Sequence, residues 1–135
     1  IMEMNAVLRQ MESIMKSPVI MGRNHDSFIS LYPDDILYIE NSKSGSVIHL
    51  CRDRISDFNY QVNTKRKLVD LYKELKDYCF EYAHNSYLVN LKYVTKLFSQ
   101  GYIQLKDGTE LNVSRSKMKN FRTALAALLS KKYDY

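Results

Sequence analysis

Two short segments of this chain hold side chains suited to meeting a nucleic acid. Residues 84–91, His84-Asn85-Ser86-Tyr87-Leu88-Val89-Asn90-Leu91, and residues 113–121, Val113-Ser114-Arg115-Ser116-Lys117-Met118-Lys119-Asn120-Phe121, each set polar groups at a strand end or loop and then return to apolar packing. An asparagine amide donates and accepts together, which matches an adenine edge, and an arginine fork matches guanine or a phosphate. Asn85 and Arg115 therefore read as candidate base contacts, against the plainer alternatives of a turn-forming asparagine and a solvated arginine. His84 shares strand parity with Phe80 and Tyr82, so it reads as a packed histidine that holds the loop, ahead of catalysis or metal binding.

The helix starts carry charge of the wrong sign. A helix N-terminus is partly positive and prefers acidic residues, yet one expected helix opens on Lys65-Arg66-Lys67 and the last on Lys117 and Lys119 behind Arg115. Each such placement costs roughly 0.3–1 kcal/mol unless an anion arrives, and a phosphate there would meet both side chains and free backbone amides. The alternative is that exposed lysines simply solvate these ends. A formal charge of +5 on 135 residues also favours an anionic partner, though DNA, RNA and an acidic membrane surface would all qualify.

The elements that must position these residues follow from the hydrophobic pattern. Met4, Leu8, Met11 and Met15 recur at helical spacing ahead of Pro18, so residues 1–17 read as an amphipathic linker or dimer helix and residues 18–135 as one domain. Opening on Ile1 instead of methionine suggests a piece of a longer protein or a scar left by expression. Short β-like runs follow near residues 19–21, 27–31, 36–40 and 46–51, broken at 22–24 and 41–45, with 58–62 a further strand. Leu68, Leu71, Tyr72 and Leu75 make one stripe of a helix over about 65–77, with Asn63 or Thr64 to cap it. Ile103 and Leu105 share parity with Leu111 and Val113, which a two-residue Asp107-Gly108 turn would break. A three-residue Lys106-Asp107-Gly108 loop with left-handed Gly108 instead pairs Ile103 with Leu111. The last helix spans about 117–130, capped by Ser116, with Met118, Phe121, Leu125, Leu128 and Leu129 inward. The fold class is thus mainly β with short helices.

Other chemistries find little support. His49 and Cys51 would share a strand face but lack a third ligand, and Cys51 and Cys79 lack CxxC spacing, so reduced thiols are expected, with no metal and no cofactor. Asp34-Asp35 after Pro33 reads as a turn leading into Ile36, the four glycines form no phosphate-cradling loop, and the eleven tyrosines fall mostly at core positions. An enzyme is not expected. No apolar run approaches the ~18 residues of a spanning helix and no signal peptide opens the chain, so a cytoplasmic protein is expected.

From Ile29 to about Leu129 the chain resembles the LytTR family of bacterial DNA-binding domains. The carrying residues are Asp35-Ile36-Leu37-Tyr38-Ile39-Glu40, the stretch 68–75, Phe80 with residues 84–91, and 105–121 with its Asp107-Gly108 and Val113-Ser114-Arg115. The resemblance implies an elongated stack of small antiparallel β-sheets whose loops enter successive major grooves of duplex DNA. It implies the output domain of a two-component response regulator, acting on direct-repeat promoter sites, usually with a receiver domain upstream, a sensor kinase as partner, and a homodimer on DNA as one option. By position, its DNA contacts fall on Lys43, Ser44 and Ser46 in the loop after Glu40, on Asn85, where many relatives have arginine, and on Arg115. Lys117 and Lys119 are expected to hold phosphate. The rival class is a β-rich protein- or membrane-interaction module without DNA specificity, which should bind independently of salt where a DNA reader would not.

Overall fold

In the computed structural model, which describes residues 18–55 and 60–133, the strands pair antiparallel throughout. Seven form one sheet: β1 (Ile20–Arg23), β2 (Phe28–Leu31), β3 (Ile36–Ser42), β4 (Gly45–Leu50), β5 (Gln61–Thr64), β6 (Phe80–His84) and β7 (Tyr87–Asn90), in the order β2-β1-β5-β4-β3-β7-β6. Three more, β8 (Val94–Phe98), β9 (Tyr102–Leu105) and β10 (Glu110–Asn112), form a second sheet in the order β10-β9-β8. Among the described residues two α-helices join the sheets, α1 (Leu68–Leu75) and α2 (Arg115–Tyr133). The expected helix over residues 1–17, and Phe58 of the expected strand, lie outside the described residues.

Both faces of the β3–β7–β6 region are covered, so its strands are apolar on both sides. Ile36, Ile39, Phe80 and Leu88 pack with Leu68, Leu71 and Leu75 of α1, whose spacing puts all three on one stripe. Leu37, Ala83 and Val89 pack instead with Ile103, Leu105, Leu111 and Phe121, joining the second sheet and α2 to the first. Irregularities in pairing between Ile36 and Tyr38 and between Tyr82 and His84 let one strand feed both cores. Asn90, buried between them, donates through Nδ2 to the carbonyls of Ile36 (3.0 Å) and Pro33 (3.3 Å), and its Oδ1 accepts from Lys92 N (3.1 Å). The amide thus ties β7 to the turn that starts β3.

The β9–β10 hairpin has the three-residue loop that parity demanded: Leu111 faces Ile103, Glu110 faces Gln104, and Gly108 takes φ +93°. Pro33–Asp35 forms the expected turn, where the Asp35 carboxylate accepts from Tyr32 N (2.8 Å) and Arg54 Nε (2.8 Å). Four local expectations need correction. β1 runs through Gly22 and Arg23, and its turn with β2 comes later, where Asn24 Oδ1 accepts from the amides of Asp26 and Ser27. The expected 65–77 helix starts at Leu68 with Lys67 at its cap position, because Asn63 and Thr64 are drawn into β5 by pairing with Val47 and Ser46. α2 starts at Arg115, two residues earlier than expected, so Ser116 lies inside its first turn and the Ser114 carbonyl receives the amides of Lys117 and Met118. Leu129 is 46% exposed; the inward stripe of α2 is Met118, Phe121, Ala124, Leu125 and Leu128, at spacings of three and four.

Candidate nucleic-acid interface

Antiparallel pairing decides which loops share an end of the large sheet. Ser42 faces Gly45, leaving Lys43-Ser44 as a two-residue turn between β3 and β4, and both residues are exposed. His84 faces Tyr87, leaving Asn85-Ser86 as the turn between β6 and β7, with Asn85 exposed. These turns adjoin, because Asn41 N donates to the Ser86 carbonyl (3.0 Å). Ser46 faces Thr64, so the 65–67 segment that follows β5 emerges at the same end. Ser114 N donates to the Ala83 carbonyl (2.8 Å), which sets the start of α2 beside the end of β6 that leads into the Asn85 turn.

Six of the seven sequence candidates fit this end in different ways. Lys43, Ser44, Asn85, Arg115 and Lys119 are exposed there, while Lys117 is half-buried with Nζ 5.1 Å from the centre of the Tyr82 ring. Ser46 differs. It is 0% exposed, and its hydroxyl donates to the Arg66 carbonyl (2.8 Å), so it faces inward and clamps the β3–β4 turn to the segment after β5. His84 holds its loop as expected: Nδ1 accepts from Ser86 N (3.2 Å), and the ring lies 5.6 Å from that of Tyr87. Lys65-Arg66-Lys67 precede α1 rather than form its first turn, which carries Asp70, so the argument from misplaced charge does not apply to that helix. It does apply to α2, whose first turn holds Arg115 and Lys117 and no acidic residue.

Sequence reasoning passed over Gly45. Its φ of +148° suits glycine, and a Cβ there would stand 2.1 Å from the Thr64 carbonyl oxygen. The signal was present in the short polar run closed by a glycine.

Charge separates the two ends of the sheet. At the end away from these turns three cations are paired, Arg54 with Asp35, Lys92 with Asp34 and Lys106 with Asp53, each at 2.8–2.9 Å, while Arg52 lies over the Tyr60 ring. At the turn end Arg66 pairs with Glu74 (2.9 Å), but among the described residues no acidic partner engages Lys43, Lys65, Arg115 or Lys119. Such an end attracts a polyanion. Large titration shifts among the described residues point away from neutral pH: burial, then the Glu40 carboxylate, pushes Tyr38 up to about 12, and burial, then Glu81, does the same to Tyr72. Neither becomes a proton donor poised for catalysis near neutrality. No helix among the described residues is long and apolar enough to cross a membrane.

The comparisons agree with this geometry. A family model described as "LytTr DNA-binding domain" matches residues 26–126. A solved LytTr DNA-binding domain from Bacillus cereus, described as coming from a methyl-accepting/DNA response regulator, superimposes with a TM-score of 0.69 at 19% identity, covering 82% of this chain and 97% of that one. Among curated proteins nothing matched. With three quarters of its length matched by the family model, the chain belongs to the LytTR family of DNA-binding domains.

Proposed function

We propose that this chain reads specific duplex DNA as the output domain of a transcriptional regulator of the response-regulator type, with residues 18–135 as the reader and 1–17 as its linker. The observation that carries the reading is a set of exposed side chains at one sheet end whose cations no acid among the described residues engages: Lys43 and Ser44 on one turn, Asn85 on the next, and Arg115 and Lys119 on α2. Turns that project from a rigid sheet suit entry into a major groove, about 12 Å wide, better than they suit the narrow minor groove. Asn85 and Arg115 are the proposed base contacts, Lys43, Ser44, Lys117 and Lys119 the phosphate contacts, and Ser46 a positioning residue. Direct-repeat sites, a homodimer on DNA, and an upstream receiver domain with its kinase belong to the same reading.

Selection of binding sites from random duplexes tests the specificity, and a salt titration of the recovered site tests the mode of contact. The logarithm of affinity should fall against the logarithm of salt with a slope of about −0.9 per phosphate neutralised. A flat response would favour the interaction-module alternative, for which exposed Phe28 (70%) and Met21 on the β1–β2 hairpin supply apolar surface.

Arg115→Ala and Asn85→Ala should each cost roughly 1–3 kcal/mol on the selected site and relax preference at a few base pairs. Their melting should stay close to wild type, since both side chains are exposed. Lys119→Ala should weaken all duplexes alike, because a phosphate contact carries no direct base information. Binding to single-base-substituted duplexes checks all three variants, and full discrimination retained by the Arg115 and Asn85 variants would remove them as readers.

A further inference from the structure

The surface beside the β3–β4 turn continues along the sheet. Next in sheet order come the end of β5 and then β1, which runs antiparallel to β5, so that Arg23 faces Asn63 close to the turn end while the chain turns back through Asn24 to Ser27 into β2. Between this hairpin and the β3–β4 turn lies an open groove of about 970 Å³, lined by Arg23, His25, Ser44, Asn63 and Lys65 among others. Ser44, already placed in the DNA-facing turn, forms one wall, so the groove is continuous with the interface above. The Arg23 guanidinium lies over the Phe28 ring, 5.9 Å from its centre, a stacking that orders its donors in advance. Among the described residues neither Arg23 nor Lys65 has an acidic partner in an ion pair. One acid, Asp26, also lines the groove, exposed at the hairpin tip.

We propose that the β1–β2 hairpin is a second DNA-backbone contact, in which Arg23 and Lys65 hold phosphodiester oxygens of duplex flanking the stretch read by Asn85 and Arg115. The proposal rests on the DNA-binding reading above and extends it to a surface that lies outside the turns assigned so far. Across the sheet, five strand intervals separate the β6–β7 hairpin from the β1–β2 hairpin, about 24 Å at ~4.8 Å per strand. At 3.4 Å per base pair this reaches at most about seven base pairs beyond the Asn85 contact. The contact is to backbone, so it lengthens the footprint and steepens salt dependence without adding base preference. Asp26 opposes it, being a like charge beside the bound phosphate.

The test uses the duplex recovered by selection, full length and trimmed by about seven base pairs from one end or the other. On the full duplex the Arg23→Ala, Lys65→Ala double variant should lose affinity on the order of tenfold, and its salt slope should shrink by about 1.8, two phosphates' worth, with base preference intact. Trimming one particular end should cost wild type the same factor and cost the double variant nothing. Arg23→Lys, which keeps the charge, should retain most of the slope, and Asp26→Asn should tighten binding to every duplex. An unchanged slope in the double variant, with wild type still binding and still salt-dependent, overturns this proposal and leaves the function standing. A wild-type protein that binds no duplex overturns both.

Discussion

Gly45→Ala should be among the most damaging single substitutions at the interface, although it removes no group that could touch DNA. At φ +148° a Cβ would lie 2.1 Å from the Thr64 carbonyl oxygen and 2.8 Å from both Cα and the carbonyl carbon of Lys65, all backbone atoms that no rotamer change can move. Strain at such a φ costs about 1–3 kcal/mol, and displacing a packed neighbour about as much again. The two together approach half the stability of an ordinary domain. The displacement falls on the end of β5, so it also pulls the Ser46 hydroxyl away from the Arg66 carbonyl and frees the β3–β4 turn from the 65–67 segment. Melting should therefore drop by roughly ten degrees or more, and affinity at a temperature where the variant is still folded should fall as well. A variant that melts within about one degree of wild type would show that β5 yields at no cost, contrary to the energies above.

The parts of this fold that could be read in advance are those whose pattern is local. The β9–β10 hairpin was legible because parity alone distinguishes its two possible loops, and the stripe of Leu68, Leu71 and Leu75 because a helix repeats within its own length. The start of α1 was not, since Asn63 and Thr64 look like caps until β4, some seventeen residues upstream, claims them as strand. Long-range pairing outweighs local preference at such boundaries. Parity also misled at β6: the irregularity between Tyr82 and His84 turns Ala83 into the second core, so His84 does not simply continue the face of Phe80. Parity could have corrected Ser46, however. It alternates with Ile48 and Leu50, both buried, which puts its hydroxyl on the inner face of β4. The family resemblance points to a loop, but a resemblance carries no direction for a side chain. Asn85 and Arg115 were legible as exposed residues where polar turns interrupt apolar strands; that Arg115 stands beside the Asn85 turn depends on the Ser114–Ala83 hydrogen bond, which joins residues about thirty apart in the chain.

Phe121→Ala should lose stability on the same scale as Gly45→Ala, and with it DNA binding, although the ring itself makes no contact with DNA. The ring is fully buried and belongs to the cluster of Leu37, Ala83, Val89, Ile103 and Leu105, so it joins α2 to both sheets. Truncating such a phenylalanine removes its transfer free energy and leaves a cavity, together about 3–5 kcal/mol. Leu129→Ala, four residues past Leu125 on the exposed side of the same helix, should change stability by less than about 0.5 kcal/mol, which controls for helix propensity. Denaturant midpoints measure both. Phe121 lies less than two turns from Arg115, and the Ser114–Ala83 hydrogen bond is a further tie at that end of α2, beside the packing of Met118 and Lys117. Loosening the ring should therefore let Arg115 swing away from the Asn85 turn even in molecules that remain folded. Affinity corrected for the folded fraction should accordingly fall in Phe121→Ala, on the selected site more than on random duplexes, and stay constant in Leu129→Ala. If the corrected affinity of Phe121→Ala equals wild type, then α2 is held in register by its other ties at that end, and the Phe121 ring supplies stability without alignment.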